Sequence, residues 1–197
     1  MTQATTGRVG ASTLSFLVAL VALVAPAIAQ EPVSPYAGEE GREIKALSSD
    51  QIADLETGKG MGFAMAAELN HYPGPRHVLD MADELGLDPS TTVRVQEIFD
   101  EMQTDAVRLG TQLIDAERQL DRAFAERTID EPRLAELTAR TAKLEGELRA
   151  VHLAAHIAVT RELTPEQIHA YDAMRGYDGA EAHEHDPSRH EREDGQG

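Results

Sequence analysis

The chain has no cysteine and no tryptophan, and it carries only four phenylalanines and four tyrosines in 197 residues. Without cysteine there is no disulfide, no thiol nucleophile and no thiolate metal site. With so few rings the core must be aliphatic and thin. Such a domain is held by helix packing, by a partner chain or by a metal ion. Positive charge is also scarce: 18 Lys and Arg stand against 35 Asp and Glu, a formal net charge of −17 with His neutral. That balance argues against nucleic acid as a partner and leaves cations and basic polypeptides as the attracted species. No segment shows the two-residue alternation of a strand, so an all-α chain is expected.

Only one long apolar run occurs, Leu14 to Val24. Arg8 precedes it, Pro26 breaks it and Ala27-Ile28-Ala29 offers a small-x-small cleavage site. Residues 1–29 therefore read as an export signal, cleaved after Ala29, and the mature protein is expected in the periplasm. An uncleaved anchor is the alternative. Residues 30–37 read as a linker, 38–175 as the helical domain and 176–197 as a polar tail without a packed core.

The stretch from about Val93 to Leu163 organises the rest. Apolar or small residues recur at alternating spacings of four and three from Val95 through Ala106, Leu113 and Ala116 to Ala123. The same alternation returns from Leu134 through Leu144 and Val151 to Ala158. This is the seam of two long helices packed antiparallel. A register pairing Leu113 with Leu144, Leu109 with Leu148 and Phe99 with Ala158 is symmetric about Thr128 and Ile129, which places the turn there. Asp130 and Pro132 supply a helix start just after it.

Shorter elements precede the hairpin. Gly38 to Glu56 is helix-compatible, with Ile44, Leu47, Ile52 and Leu55 as its stripe. Phe63–Leu69 and Arg76–Leu85 read as two further short helices, separated by the turn Asn70-His71-Tyr72-Pro73-Gly74-Pro75. The cluster Gly58-Lys59-Gly60-Met61-Gly62 breaks the first helix. It has neither the preceding strand nor the following Lys-Ser/Thr of a phosphate loop, so no nucleotide is expected.

A helix-start motif recurs. In Leu163-Thr164-Pro165-Glu166-Gln167-Ile168, Thr164 caps, Gln167 reaches back to the cap amide, and Leu163 and Ile168 clasp. Leu47-Ser48-Ser49-Asp50-Gln51-Ile52 repeats this chemistry with Ser48 as cap and Gln51 as the reciprocal residue. Leu87-Asp88-Pro89-Ser90-Thr91 is a degenerate copy.

Leu163-Thr164-x-x-Gln167, in an exported helical chain with a long hairpin, resembles the Spy/CpxP family and its relatives, the periplasmic heavy-metal resistance proteins. The resemblance covers roughly Ala82 to Arg175. It implies a hairpin that dimerises into a cradle, and a function either as an ATP-independent chaperone of unfolded polypeptides in envelope stress or as a sensor or buffer of transition metals. A membrane sensor is a further implied partner. The best-known chaperone members present basic client-binding faces whereas this chain is acidic, which weighs against the chaperone assignment more than against the fold.

His152 and His156 carry the metal expectation. Spaced by four on the second long helix, both imidazoles lie on one face and flank the seam, so they should meet another layer or a partner chain. His77, with Asp80, Met81 and Glu84 at helical spacings, is a candidate to complete the site for Zn, Ni, Co or Cu. Hydrogen-bonded core histidines are the plainer alternative. Met61 and Met65 are weaker candidates that would suit soft Cu(I), although methionine more often fills core. His183 and His185 in the tail are weaker candidates still, without preformed geometry. No nucleophile elbow or zinc-protease helix motif is present. Carboxylates such as Glu117, Asp121, Glu136 and Glu145 read as solvent-facing partners of Arg and Lys, so no enzymatic activity is expected.

Overall fold

The computed structural model describes residues 34–177. The chain divides after Ala37 into a first unit, 1–37, and a second, 38–197. In the first, Ala37 N donates to Ser34 O (3.0 Å) and closes a turn. Among the described residues the second holds six helices: α1 (Ser49–Glu56), α2 (Met65–Glu68), α3 (Pro75–Asp80), α4 (Pro89–Ala125), α5 (Glu131–Glu162) and α6 (Pro165–Arg175). Among the described residues there is no strand, only an isolated bridge between Ile44 and Leu47, and no helix is long and apolar enough to cross a membrane. The expected signal segment and the tail with His183 and His185 lie outside the described residues.

α4 and α5 form the antiparallel hairpin. Leu109, Leu113 and Ala116 are buried on one helix, and Leu148, Leu144 and Thr141 on the other, in the expected register. Arg127 adopts a left-handed backbone (φ 56°), and Thr128 N reaches Ala123 O at 3.0 Å, closing α4 where the symmetry of the seam put the turn. Asp130 accepts from Arg133 N (2.8 Å) and opens α5.

The three helix-start motifs act as caps. Ser48 and Thr164 both make complete capping boxes, with Gln51 and Gln167 returning the bond to the cap amide. Asp88 accepts from Ser90 N and Thr91 N, and these bonds, with those from the two hydroxyls, hold its carboxyl far below the usual range. Gln167 also acts beyond its own helix, since its Nε2 donates to Leu85 O (3.3 Å) and ties α6 to the segment after α3. The buried side chain of Leu163 packs with Ile168 in the same cluster. Leu47 and Ile52 pack together against the other cluster.

The short elements are shorter than their sequences allow. Residues 38–48 turn instead of forming a helix, because Ser48 commits its side chain to Gln51 N as a cap, with extended backbone (ψ 162°). α2 spans one turn rather than Phe63–Leu69, since Met61 and Gly62 hold left-handed backbones just before it. α3 stops at Asp80, and the chain turns through Gly86 (φ 61°) before α4. One surface expectation is also corrected. Glu117 is only 9% exposed, and burial together with the nearby Glu145 raises its pKa.

α1 and α3 pack on α4, while α2 and α3 reach α5. α1 crosses α4 very closely. A Cβ on Gly110 would lie 2.3 Å from Leu55 O, so only glycine permits this approach. The core is split. One cluster joins Ile44 and Leu55 to Leu109, Leu113, Leu144 and Leu148. The other joins Val78, Leu85, Val95, Val159, Leu163 and Tyr171 at the open end of the hairpin.

Candidate metal-binding cavity

Between the two apolar clusters lies a cavity of about 550 Å³. Along α5 its lining falls between Leu148 of one cluster and Val159 of the other, and along α4 between Val95 and Ala106. The loop of glycines 58–62, α2, the Gly74–His77 segment and Arg175 complete the wall. The three histidines chosen from sequence, His152, His156 and His77, all line it, as do Met61 and Met65. Asp80 instead pairs with Arg76 at the surface (3.7 Å). Met81 packs against the apolar cluster at the open end, and neither it nor Glu84 lines the cavity.

His152 and His156 are 3% and 7% exposed. They flank the seam and face the short N-terminal helices, as their helical phase requires. The His152 ring stacks on Phe63, with centroids 5.9 Å apart and planes within 15°, and its Nε2 is buried with no hydrogen-bond partner. His156 is anchored: its Nδ1 lies 2.8 Å from the Tyr72 carbonyl oxygen. A carbonyl only accepts, so Nδ1 carries a proton, and in the neutral ring the lone pair is on Nε2. Gly74 leaves room for that ring edge, since a Cβ there would sit 2.9 Å from His156 Cε1 and 3.2 Å from Nε2.

Both His152 and His77 are held below the ordinary imidazole pKa, chiefly by burial. His156 adds repulsion to each, and Arg175 adds it to His77. Neutral rings are the form that ligates metal.

Glu68, which no sequence signal marked, fixes the cover of the cavity. Its Oε1 accepts from Tyr171 OH (2.5 Å), Tyr177 OH (3.1 Å) and Arg175 Nε (3.3 Å), while Oε2 lies 3.7 Å from His156 Nδ1. Tyr171, fully buried, also accepts from Gly74 N (3.3 Å). Burial and the Glu68 carboxylate push its phenol pKa well up. α2, the Gly74 turn and α6 are thus tied through one carboxylate. The only hint in the sequence was Glu68 itself, the one charged residue in the run Phe63 to Leu69. Met102 and Phe63 were missed as site residues because they read as ordinary helix-face apolar positions.

Among the described residues no three His, Cys, Asp or Glu side chains converge as a metal-holding group. What the cavity brings together is two imidazoles of α5, a third from α3 and the thioethers of Met61, Met65 and Met102. Nitrogen and sulfur donors of this kind suit transition metals.

An all-α hairpin with a histidine- and methionine-lined cavity under short helices is the class of protein the geometry defines. A sequence model of the heavy-metal resistance family matches residues 60–170, more than half of the chain. The chain belongs to that family, and the matched span contains all three cavity histidines and Met61, Met65 and Met102. No curated protein and no solved structure gives a significant match.

Proposed function

We propose that this protein is an exported, non-enzymatic metal-binding protein that buffers or senses a transition metal in the periplasm. His152 and His156 are its primary ligands and His77 of α3 a third donor. One observation carries the reading: the buried His152 Nε2 has no partner beside a His156 whose other nitrogen is already engaged. An unpaired buried imidazole nitrogen costs about 1–3 kcal/mol, and a metal ion would satisfy it. Membership of the heavy-metal resistance family supports the same reading. Calorimetric titration of the full exported chain with Zn, Ni, Co and Cu tests it. Saturable binding should survive alanine at His183, His185 and His190 and be lost with His152→Ala and His156→Ala together. Binding that follows the tail histidines instead would overturn the site.

A second reading rests on exposed apolar side chains of α2 and the turn after it. Met65, Leu69 and Tyr72 are all exposed, and a groove beside them is lined by Phe63, Met65 and Leu69 with Arg149. Such a face suits an unfolded polypeptide, a second copy of the chain in a homodimer, or a membrane sensor. In this reading Leu69→Ser reduces suppression of client aggregation, and a variant with unchanged suppression removes the polypeptide-binding role from this face.

A further inference from the structure

The cavity differs from a divalent-metal site in its charge and in its donors. Among the described residues two carboxylates line it, Asp54 and Glu68, against three cations, Lys59, Arg76 and Arg175. Each carboxylate has one oxygen committed. Asp54 Oδ1 accepts from Lys59 Nζ at 2.6 Å, and Glu68 Oε1 is shared by two tyrosines and Arg175. Glu68 Oε2, 3.7 Å from His156 Nδ1, is the anionic oxygen nearest the imidazoles, but three cations against two carboxylates in the lining give a hard or borderline dication no attractive field.

The neutral donors are unusually rich in sulfur. Met61, Met65 and Met102 all line the cavity, half of the six methionines in the chain. Two of them do not fill core, since Met61 is 36% and Met65 60% exposed. Met61 also holds a left-handed backbone (φ 45°) between Gly60 and Gly62. Side chains rarely tolerate that conformation, and a third glycine would relieve it. A thioether is thus kept at the rim of the cavity in a position where glycine is the undemanding choice.

We propose that this site selects a soft monovalent ion, Cu(I) or its analogue Ag(I), held by the Nε2 atoms of His152 and His156 together with methionine sulfur from Met61 and Met65. This rests on the metal-binding reading above and narrows it. Neutral nitrogen and thioether donors match a polarisable ion of single charge, which also suffers least from the flanking guanidinium groups.

The test uses the full exported chain under anaerobic conditions. Cu(I) affinity is read by competition with a chromophoric Cu(I) chelator, Ag(I) by calorimetry, and Zn(II) and Ni(II) by parallel titrations. Cu(I) should bind at one equivalent and at least tenfold more tightly than Zn(II) or Ni(II), with sulfur bound to the metal in X-ray absorption spectra. Met61→Leu and Met65→Leu should each weaken Cu(I) at least tenfold without changing the circular dichroism spectrum. Zn(II) or Ni(II) bound more tightly through His152 and His156, with the methionine variants silent, would overturn the soft-ion selectivity and leave the metal-binding reading standing. Absence of saturable binding of any of these ions in the same assays would overturn both.

Discussion

The two halves of the hairpin share one seam but are packed for different purposes. Toward the turn, Leu109, Leu113, Leu144 and Leu148 meet Ile44 and Leu55 in a dry cluster, and α1 crosses so closely that its Leu55 carbonyl lies over Gly110. Toward the open end the same two helices diverge in chemistry. His152 and His156 lie buried beside the seam, the cover is a set of short turns, and the helices face a cavity before the second cluster resumes at Val95 and Val159. Buried apolar area stabilises the first region. The second contains an unpartnered imidazole nitrogen and a strained Met61, both unfavourable to folding. The turn-ward half has costs of its own in the unpartnered Thr141 Oγ1 and the buried Glu117, but it does not line the cavity.

The contrast can be broken most strongly in the dry half. Leu148→Ala should lower the unfolding free energy by about 2–5 kcal/mol, measured by urea denaturation. A loss near zero would mean that the cluster is not the scaffold. Gly110→Ala comes next. Alanine is worth about 1 kcal/mol more than glycine in a helix interior, yet here its Cβ meets the Leu55 backbone. We expect a net loss of about 2 kcal/mol as α1 is pushed away.

In the cavity half the sign should reverse. His152→Leu removes a buried unpaired nitrogen and should raise stability of the metal-free protein by about 1 kcal/mol, while removing a ligand of the proposed site. The same variant sharpens the pH dependence. His152 and His77 have native pKa values below the ordinary 6.5, so above that pH both are neutral whether folded or not. As pH falls through 6.5 the unfolded chain takes up protons first, and stability declines until the lowered native values are passed. His152→Leu should therefore show a shallower loss of melting temperature between about pH 7.5 and pH 5.5, and an unchanged slope would remove His152 as a contributor. The smallest effect is at Met61→Gly, which should relieve the left-handed strain and stabilise the apo protein by about 0.5–1 kcal/mol.

Much of this was legible because it is periodic or local. The alternation of four and three along Val95–Ala123 and Leu134–Ala158 specifies two helices, their register and their turn, since each buried position repeats a constraint the helix geometry already imposes. Leu134 departs most, lying exposed beside the turn, while Phe99, Met102, Leu120, Val151 and Ala158 are half-buried. The caps at Ser48, Asp88, Asp130 and Thr164 were legible because the partners of a cap are within three residues. The short elements were not: helix-compatible residues in 38–47 do not join α1 when Ser48 is committed to capping it.

The sequence by itself determined an all-helical hairpin, its turn at Thr128, and that His152 and His156 share a face turned off the seam. Only the tertiary structure decided what meets that face. The Tyr72 carbonyl on His156, Phe63 against His152, the thioethers of Met61 and Met102 and the Glu68–Tyr171 tie come from residues 50 to 103 positions away from their partners. No local periodicity encodes such contacts. They follow from where three short helices, too small to stand alone, find apolar surface on a long pair that is already formed.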